Sequence, residues 1–176
     1  MSKKILVAYA TKCGSTIDVS HAIGDTISQY GVSVDVKRIK EISDISEYDA
    51  AVVGSAIRMA KWLPEATDFV ISNKDKLNKI PTAIFSVHIL NLDNSPESMK
   101  NRSAYTESVR EILTPKAETF FPGKIDQSLL SIFERLLFKM IKSPEGDFRD
   151  WDAIQSWASQ VAVLIESKMF QVKTVH

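Results

Sequence analysis

Six residues, Thr11-Lys12-Cys13-Gly14-Ser15-Thr16, concentrate the most legible chemistry in this chain. The hydroxyls of Thr11, Ser15 and Thr16 can donate to an anion, and Gly14 lets the backbone approach it. A helix starting here would add unpaired N–H groups and its positive dipole end. Together they suit a phosphate dianion held by neutral donors rather than by a cluster of cations. The spacing excludes two familiar phosphate motifs. A P-loop needs its lysine after the second glycine, whereas Lys12 precedes the one glycine of this segment. A dinucleotide fingerprint needs three spaced glycines, and Gly14 stands alone. The plain alternative is a strand-to-helix turn capped by hydroxyls.

Two further stretches carry candidate groups. Gly54-Ser55-Ala56-Ile57-Arg58-Met59-Ala60-Lys61-Trp62 begins small and then sets apolar groups where solvent-facing residues are expected. Trp62 either flanks a ligand or packs as a lid over the following helix. Arg58 offers a planar fork that matches a carboxylate and keeps its proton; its alternative is a surface ion pair worth roughly 0–1 kcal/mol. His88, Ile89 and Leu90 open a long polar loop, residues 89–101. Cys13 has no partner at redox spacing and reads as a loop-filling residue. His21, His88 and His176 are too scattered to propose a metal site, and no Ser-His-Asp arrangement can be justified.

The elements that position these groups follow from hydrophobic periodicity. Residues 3–9 form an apolar run suited to a strand covered on both faces. Residues 14–30 switch to helical spacing, with Val19, Ala22, Ile23, Ile27 and Tyr30 on one stripe and Gly31 ending it. Residues 32–39 alternate as a half-exposed edge strand, and 49–54 are apolar again. A helix over 64–77 starts on a proline in its first turn, a buried strand spans 82–88, a helix spans 105–113, and 117–121 make a fifth strand. A terminal helix over 151–168 has Asp150 as a candidate cap. Five strands interleaved with helices predict an α/β, doubly wound parallel sheet in the order 2-1-3-4-5, with ligands beyond the carboxyl ends of the strands at the switch point. The loops at 11–16, 55–63 and 89–101 should then line one pocket. Residues 1–170 are expected to form a single domain with a tail at 171–176.

Composition narrows the function classes. Lys plus Arg equal Asp plus Glu at 22 each, so there is no global field to attract nucleic acid. The lone cysteine fits a reducing compartment. The amino-terminal apolar run is too short for a signal peptide, and no stretch reaches the roughly 18 apolar residues that span a bilayer. A cytoplasmic protein is expected, with contact at a membrane face left open. Residues 127–142 read as a helical insertion after the fifth strand, with Ser128, Ser131, Arg135, Lys139 and Lys142 on a polar stripe beside a wide apolar face. Such a helix either caps one end of the sheet or lies on a membrane.

With Tyr9, Thr11, Gly14 and Thr16 in its key positions, the first segment resembles the FMN phosphate loop of flavodoxins; Ala8 departs from the larger apolar residue usual there. The likeness sharpens at Gly54–Arg58, Phe85-Ser86-Val87, Tyr105, Gly146-Asp147 and Asp150-Trp151. With the insertion at 127–142, these make the chain similar to the flavodoxin-fold, menaquinone-dependent protoporphyrinogen IX oxidases. The resemblance implies FMN held by Thr11, Lys12, Cys13, Gly14, Ser15 and Thr16, with Ser55, Ala56, Ile57, Trp62, His88, Ile89 and Leu90 around its ring. It also implies protoporphyrinogen IX as substrate and a quinone as acceptor. Arg58 is then the catalytic candidate, pairing with a propionate or facing negative charge on the ring. Carrier flavodoxins are usually strongly acidic and this chain is not. An FMN electron carrier serving a protein partner and a cofactor-free interaction module are the other readings.

Overall fold

A computed structural model of the chain describes residues 3–125, 132–140 and 145–171. In chain order, β1 (Lys4–Ala10) leads into α1 (Ser15–Ser28), then β2 (Ser33–Arg38), β3 (Ala50–Arg58) and β4 (Lys61–Trp62). Next come α2 (Pro64–Ser72), α3 (Lys74–Leu77), β5 (Thr82–His88), α4 (Pro96–Ala104), α5 (Glu107–Arg110) and β6 (Ala117–Pro122). The chain closes with β7 (Lys124–Ile125), α6 (Ile132–Met140), β8 (Gly146–Asp147) and α7 (Trp151–Gln171).

The five long strands pair in parallel in the order β2-β1-β3-β5-β6, which is the 2-1-3-4-5 order of a doubly wound sheet. The register sets Val7 against Val36 on one side and Val52 on the other, so the central strands are apolar on both faces. Both faces are covered, which is why these strands read as continuous hydrophobic runs. On one side Val19, Ile23 and Ile27 of α1 and Ile154, Ala158 and Val161 of α7 pack on Val7, Val52 and Phe85. On the other, Ala66, Phe69 and Val70 of α2, Leu77 of α3 and Val109 of α5 pack on Leu6, Val53 and Ile84.

Several boundaries differ from the periodicity. Residues 55–58 continue β3 rather than opening a loop, and β4 folds back on it with Ile57 facing Trp62 and Arg58 facing Lys61. The helix expected over 64–77 breaks at Asn73, whose side-chain amide donates to the Phe69 carbonyl at 2.9 Å and offers that carbonyl a local alternative to the ladder. Half of the polar loop at 89–101 is helical, because Ser95 caps it by accepting from the Ser98 N–H at 3.2 Å and Pro96 supplies the first turn. The helix at 105–113 shrinks to α5. Two short strands, β7 and β8, pair antiparallel across the base of the insertion. Of the expected helix at 127–142, α6 lies among the described residues, whereas 127–131 and 141–142 lie outside them, as do residues 172–176 of the tail.

Candidate functional site

The carboxyl ends of the strands bring the three loops together. Ala10 pairs with Ser55, Ala56 with Val87, and His88 with Pro122, so the chain leaves neighbouring strands side by side. After β1, Gly14 adopts the left-handed region at φ 91°, a conformation cheap only without a Cβ. This turns the chain so that the Gly14 N–H donates to Thr11 Oγ1 at 3.2 Å and leaves the Thr11 O–H to donate elsewhere. α1 begins without a side-chain cap, and its first turn leaves the N–H groups of Ser15 and Thr16 without intrahelical acceptors.

Thr16 is only 1% exposed, yet its Oγ1 has no hydrogen-bond partner among the described residues. A buried hydroxyl in that state costs about 1–3 kcal/mol. An anion oxygen at the helix N-terminus would accept from it, together with the free N–H groups. Lys12 and Cys13 are exposed on the rim of the same turn. Gly123, just past β6, closes the far side: its N–H donates to the His88 carbonyl at 2.7 Å, and a Cβ there would meet Val87 Cγ1 at 2.8 Å and Ser15 Oγ at 3.0 Å.

The second loop is a hairpin, and it uses two expected ring contacts for its own support. Ser55 is fully buried, with Oγ donating to the Ala56 carbonyl at 2.9 Å and accepting from the Leu63 N–H at 3.0 Å. Trp62 is 4% exposed and donates Nε1–H to Ser86 Oγ at 2.8 Å, within the core that includes Leu63 and Ala66. Trp62 thus packs as a lid on the core, with its indole held inward by Ser86 beside the half-buried Ile57 that it faces in the hairpin. Ala56 and Ile57 are half-buried, and Arg58 and Lys61 are exposed. At the tip, Met59 is 88% exposed, and both Met59 and Ala60 hold positive φ, 50° and 57°. Neither is a residue suited to that region, which costs an L-residue roughly 1–2 kcal/mol.

In the third loop His88 is buried and its Nδ1–H donates to the Leu90 carbonyl at 2.7 Å, so Nε2 is the acceptor nitrogen. Burial pushes its pKa down, the positive charge of Arg102 adds to this, and the Leu90 carbonyl opposes it; the ring is neutral near pH 7. Ile89 is half-buried and Leu90 exposed. Sequence reasoning missed the residues that fix this loop. Asn91, at φ 57°, donates to Tyr105 Oη at 2.5 Å, and the Arg102 guanidinium donates to the carbonyls of Asn91 and Asp93, each at 2.5 Å. The Ser95 hydroxyl and N–H hold the Asp93 carboxyl at a pKa of about 2. The available signal was the Ser95-Pro96 helix start, which places Arg102 one helix away from the turn it pins.

The site thus offers neutral donors for a phosphate group, a half-buried apolar edge at Ala56 and Ile57, and an exposed arginine at the hairpin end. Among the described residues, no group of three His, Cys, Asp or Glu side chains is placed to hold a metal ion. The flavodoxin domain matches residues 6–152. Protoporphyrinogen IX dehydrogenase [quinone] of Escherichia coli (strain K12) is 23% identical over 180 residues, covering 93% of this chain and 97% of that protein. Probable flavodoxin 1 of Bacillus subtilis (strain 168) is 28% identical over 128 residues, covering 65% of this chain and 81% of the other. Among solved structures, a flavodoxin from the domain Archaea superposes with a TM-score of 0.58 at 19% identity, covering 93% of this chain and 99% of that one.

Proposed function

The chain belongs to the flavodoxin family, and from its likeness to the E. coli enzyme we propose that it oxidises protoporphyrinogen IX to protoporphyrin IX with a quinone as electron acceptor. Its cofactor is FMN. The loop after β1 fits the phosphate of that group on its own chemistry. Thr16 supplies a buried hydroxyl in need of an acceptor, the Ser15 and Thr16 N–H groups lie in the same uncapped first turn, and Gly14 takes the left-handed conformation that starts it. Bound FMN supplies the redox chemistry, taking two electrons together or passing them singly. Each withdrawal of two hydrogens from the porphyrinogen is balanced by reduction of one quinone to quinol.

The protein's own part is to bind, orient and exclude water. Trp62, tied to Ser86, and the Ser55 hydroxyl, tied to Leu63, hold the β3–β4 hairpin against the sheet. Arg102 and Tyr105 hold the third loop. Arg58, exposed at the hairpin end, is the residue proposed to pair with a propionate of an incoming porphyrinogen. His88, kept neutral, offers Nε2 as an acceptor near the carboxyl end of β5. Substrate and acceptor rest on one observation, the match that spans 97% of the E. coli enzyme. The test is formation of fluorescent protoporphyrin by FMN-loaded protein under anaerobic conditions with added quinone. Product no faster than in a protein-free control would sink the reading.

The 28% identity to the B. subtilis flavodoxin supports a second reading, an electron carrier serving a protein partner. A carrier would titrate in two well-separated one-electron waves and leave protoporphyrinogen untouched.

A further inference from the structure

Arg102 carries a charge that the loop it holds does not neutralise. Its side chain is half-buried, and each acceptor it meets is a neutral oxygen. Nη1 donates to the carbonyls of Asn91 and Asp93, each at 2.5 Å, and Nη2 donates to Asn94 Oδ1 at 3.2 Å. Arg110 and Arg149, by contrast, meet carboxylates: Glu118 lies 3.0 Å from the first, and Asp147 and Asp18 lie 2.5 and 2.6 Å from the second. Among the described residues no carboxylate is within ion-pair distance of Arg102. The acid of the same turn, Asp93, turns its carboxylate to the Ser95 N–H at 2.8 Å instead, at the start of α4 where the helix dipole favours negative charge.

The turn is fixed and belongs to the cofactor end of the sheet. Asn91 donates to Tyr105 Oη and accepts from the Asn101 amide at 3.3 Å, and the Tyr105 ring centroid lies 6.0 Å from that of His88. His88 ends β5, and its carbonyl accepts from the Gly123 N–H at 2.7 Å. A Cβ on Gly123 would lie 3.0 Å from Ser15 Oγ in the candidate phosphate loop, so the strand end from which this turn departs adjoins that loop. A guanidinium keeps its proton at any working pH, and in a half-buried setting its field is screened less than at an open surface.

We propose that Arg102 tunes the cofactor, its uncompensated positive charge favouring reduced over oxidised FMN while its hydrogen bonds fix the loop after β5. Uptake of two electrons with one proton leaves a net negative charge on the flavin ring, and a nearby fixed cation stabilises that charge selectively. A raised potential suits a chain that takes electron pairs from an organic donor and disfavours a low-potential carrier. The proposal rests on FMN as the cofactor; it requires neither protoporphyrinogen nor a quinone.

The experiment measures, anaerobically and against redox dyes, the two-electron midpoint potential of the full, FMN-loaded chain, together with Kd for oxidised FMN. Arg102→Gln should lower the ratio of affinities for reduced over oxidised FMN roughly tenfold, a fall of about 30 mV in the midpoint potential. Asn94→Asp keeps the clamp and sets a carboxylate against Nη2, so it should lower the ratio in the same direction with Kd for oxidised FMN little changed. Arg102→Lys keeps the charge and loses the planar fork; it should weaken oxidised FMN binding while holding the ratio within about twofold of wild type. Wild-type ratios in both Arg102→Gln and Asn94→Asp overturn the proposal, and so does a ratio that falls as far in Arg102→Lys as in Arg102→Gln, which would leave the clamp as the whole effect. A wild-type chain that binds no FMN removes the cofactor and this proposal together. Failure to oxidise protoporphyrinogen leaves these potentials measurable, so the two readings stand or fall separately.

Discussion

Replacing Thr16 with valine should act in opposite directions on the cofactor-free and the FMN-loaded protein. Valine keeps the shape and removes the hydroxyl that is buried at 1% exposure without a partner. In the cofactor-free protein an unsatisfied group costing about 1–3 kcal/mol disappears. Part of that penalty is recovered, so the variant should gain about 1 kcal/mol, a rise in Tm of about 2–4 °C for a domain of this size. With FMN the same change deletes a hydrogen bond to a charged phosphate, worth about 1.5–3 kcal/mol. Kd for FMN should rise roughly 10- to 150-fold. Thermal unfolding of the apoprotein reads the first effect, and quenching of flavin fluorescence on titration reads the second. Thr16→Ser keeps the hydroxyl and should retain most of the FMN affinity. Wild-type FMN affinity in Thr16→Val would show that the hydroxyl does not face the phosphate, and a cofactor-free variant less stable than wild type would show that the hydroxyl is satisfied without it.

Met59→Asn with Ala60→Gly places at the hairpin tip the residues that tolerate positive φ. It should stabilise the protein by about 1 kcal/mol, relief of left-handed strain being partly offset by glycine's greater freedom in the unfolded chain; a fall in Tm by calorimetry would show that the tip is held by contacts of the Met59 side chain. His88 has a folded pKa below its unfolded value of about 6.5, so the unfolded chain binds the proton first and stability falls as pH drops below about 6.5 towards the folded pKa. His88→Gln should flatten that part of the stability profile in denaturant titrations from pH 7.5 to 5. Arg58→Ala should cost at most about 1 kcal/mol of stability, the scale of an exposed ionic contact, and raise KM for protoporphyrinogen roughly tenfold or more with kcat little altered. An unchanged KM would remove Arg58 from substrate binding.

Local chemistry carried most of the fold. Ile5 to Ala10, Ala50 to Val53 and Ala83 to Phe85 are apolar on both faces because helices cover both sides of the sheet, so three buried parallel strands were legible as runs. The alternation from Val32 to Val36 marked β2 as the edge, and the parallel rhythm then set the strand order. The candidate phosphate loop after β1 was local too, since its hydroxyls and its one glycine lie within six consecutive residues.

What the sequence left open were contacts between residues far apart in it. Whether Trp62 faces a ligand or the core depends on Ser86, 24 positions away, which accepts its N–H. Nothing local marked Arg102, whose role appears only where the turn at Asn91 comes within reach of its guanidinium. The missing side chain of Gly123 makes room for Ser15, over a hundred positions earlier, a contact that no local pattern signals. Periodicity and capping are properties of neighbouring residues, so the chain states them directly. Which buried donor meets which acceptor is settled only when the sheet brings its strand ends together, and that part of the site belongs to the tertiary structure.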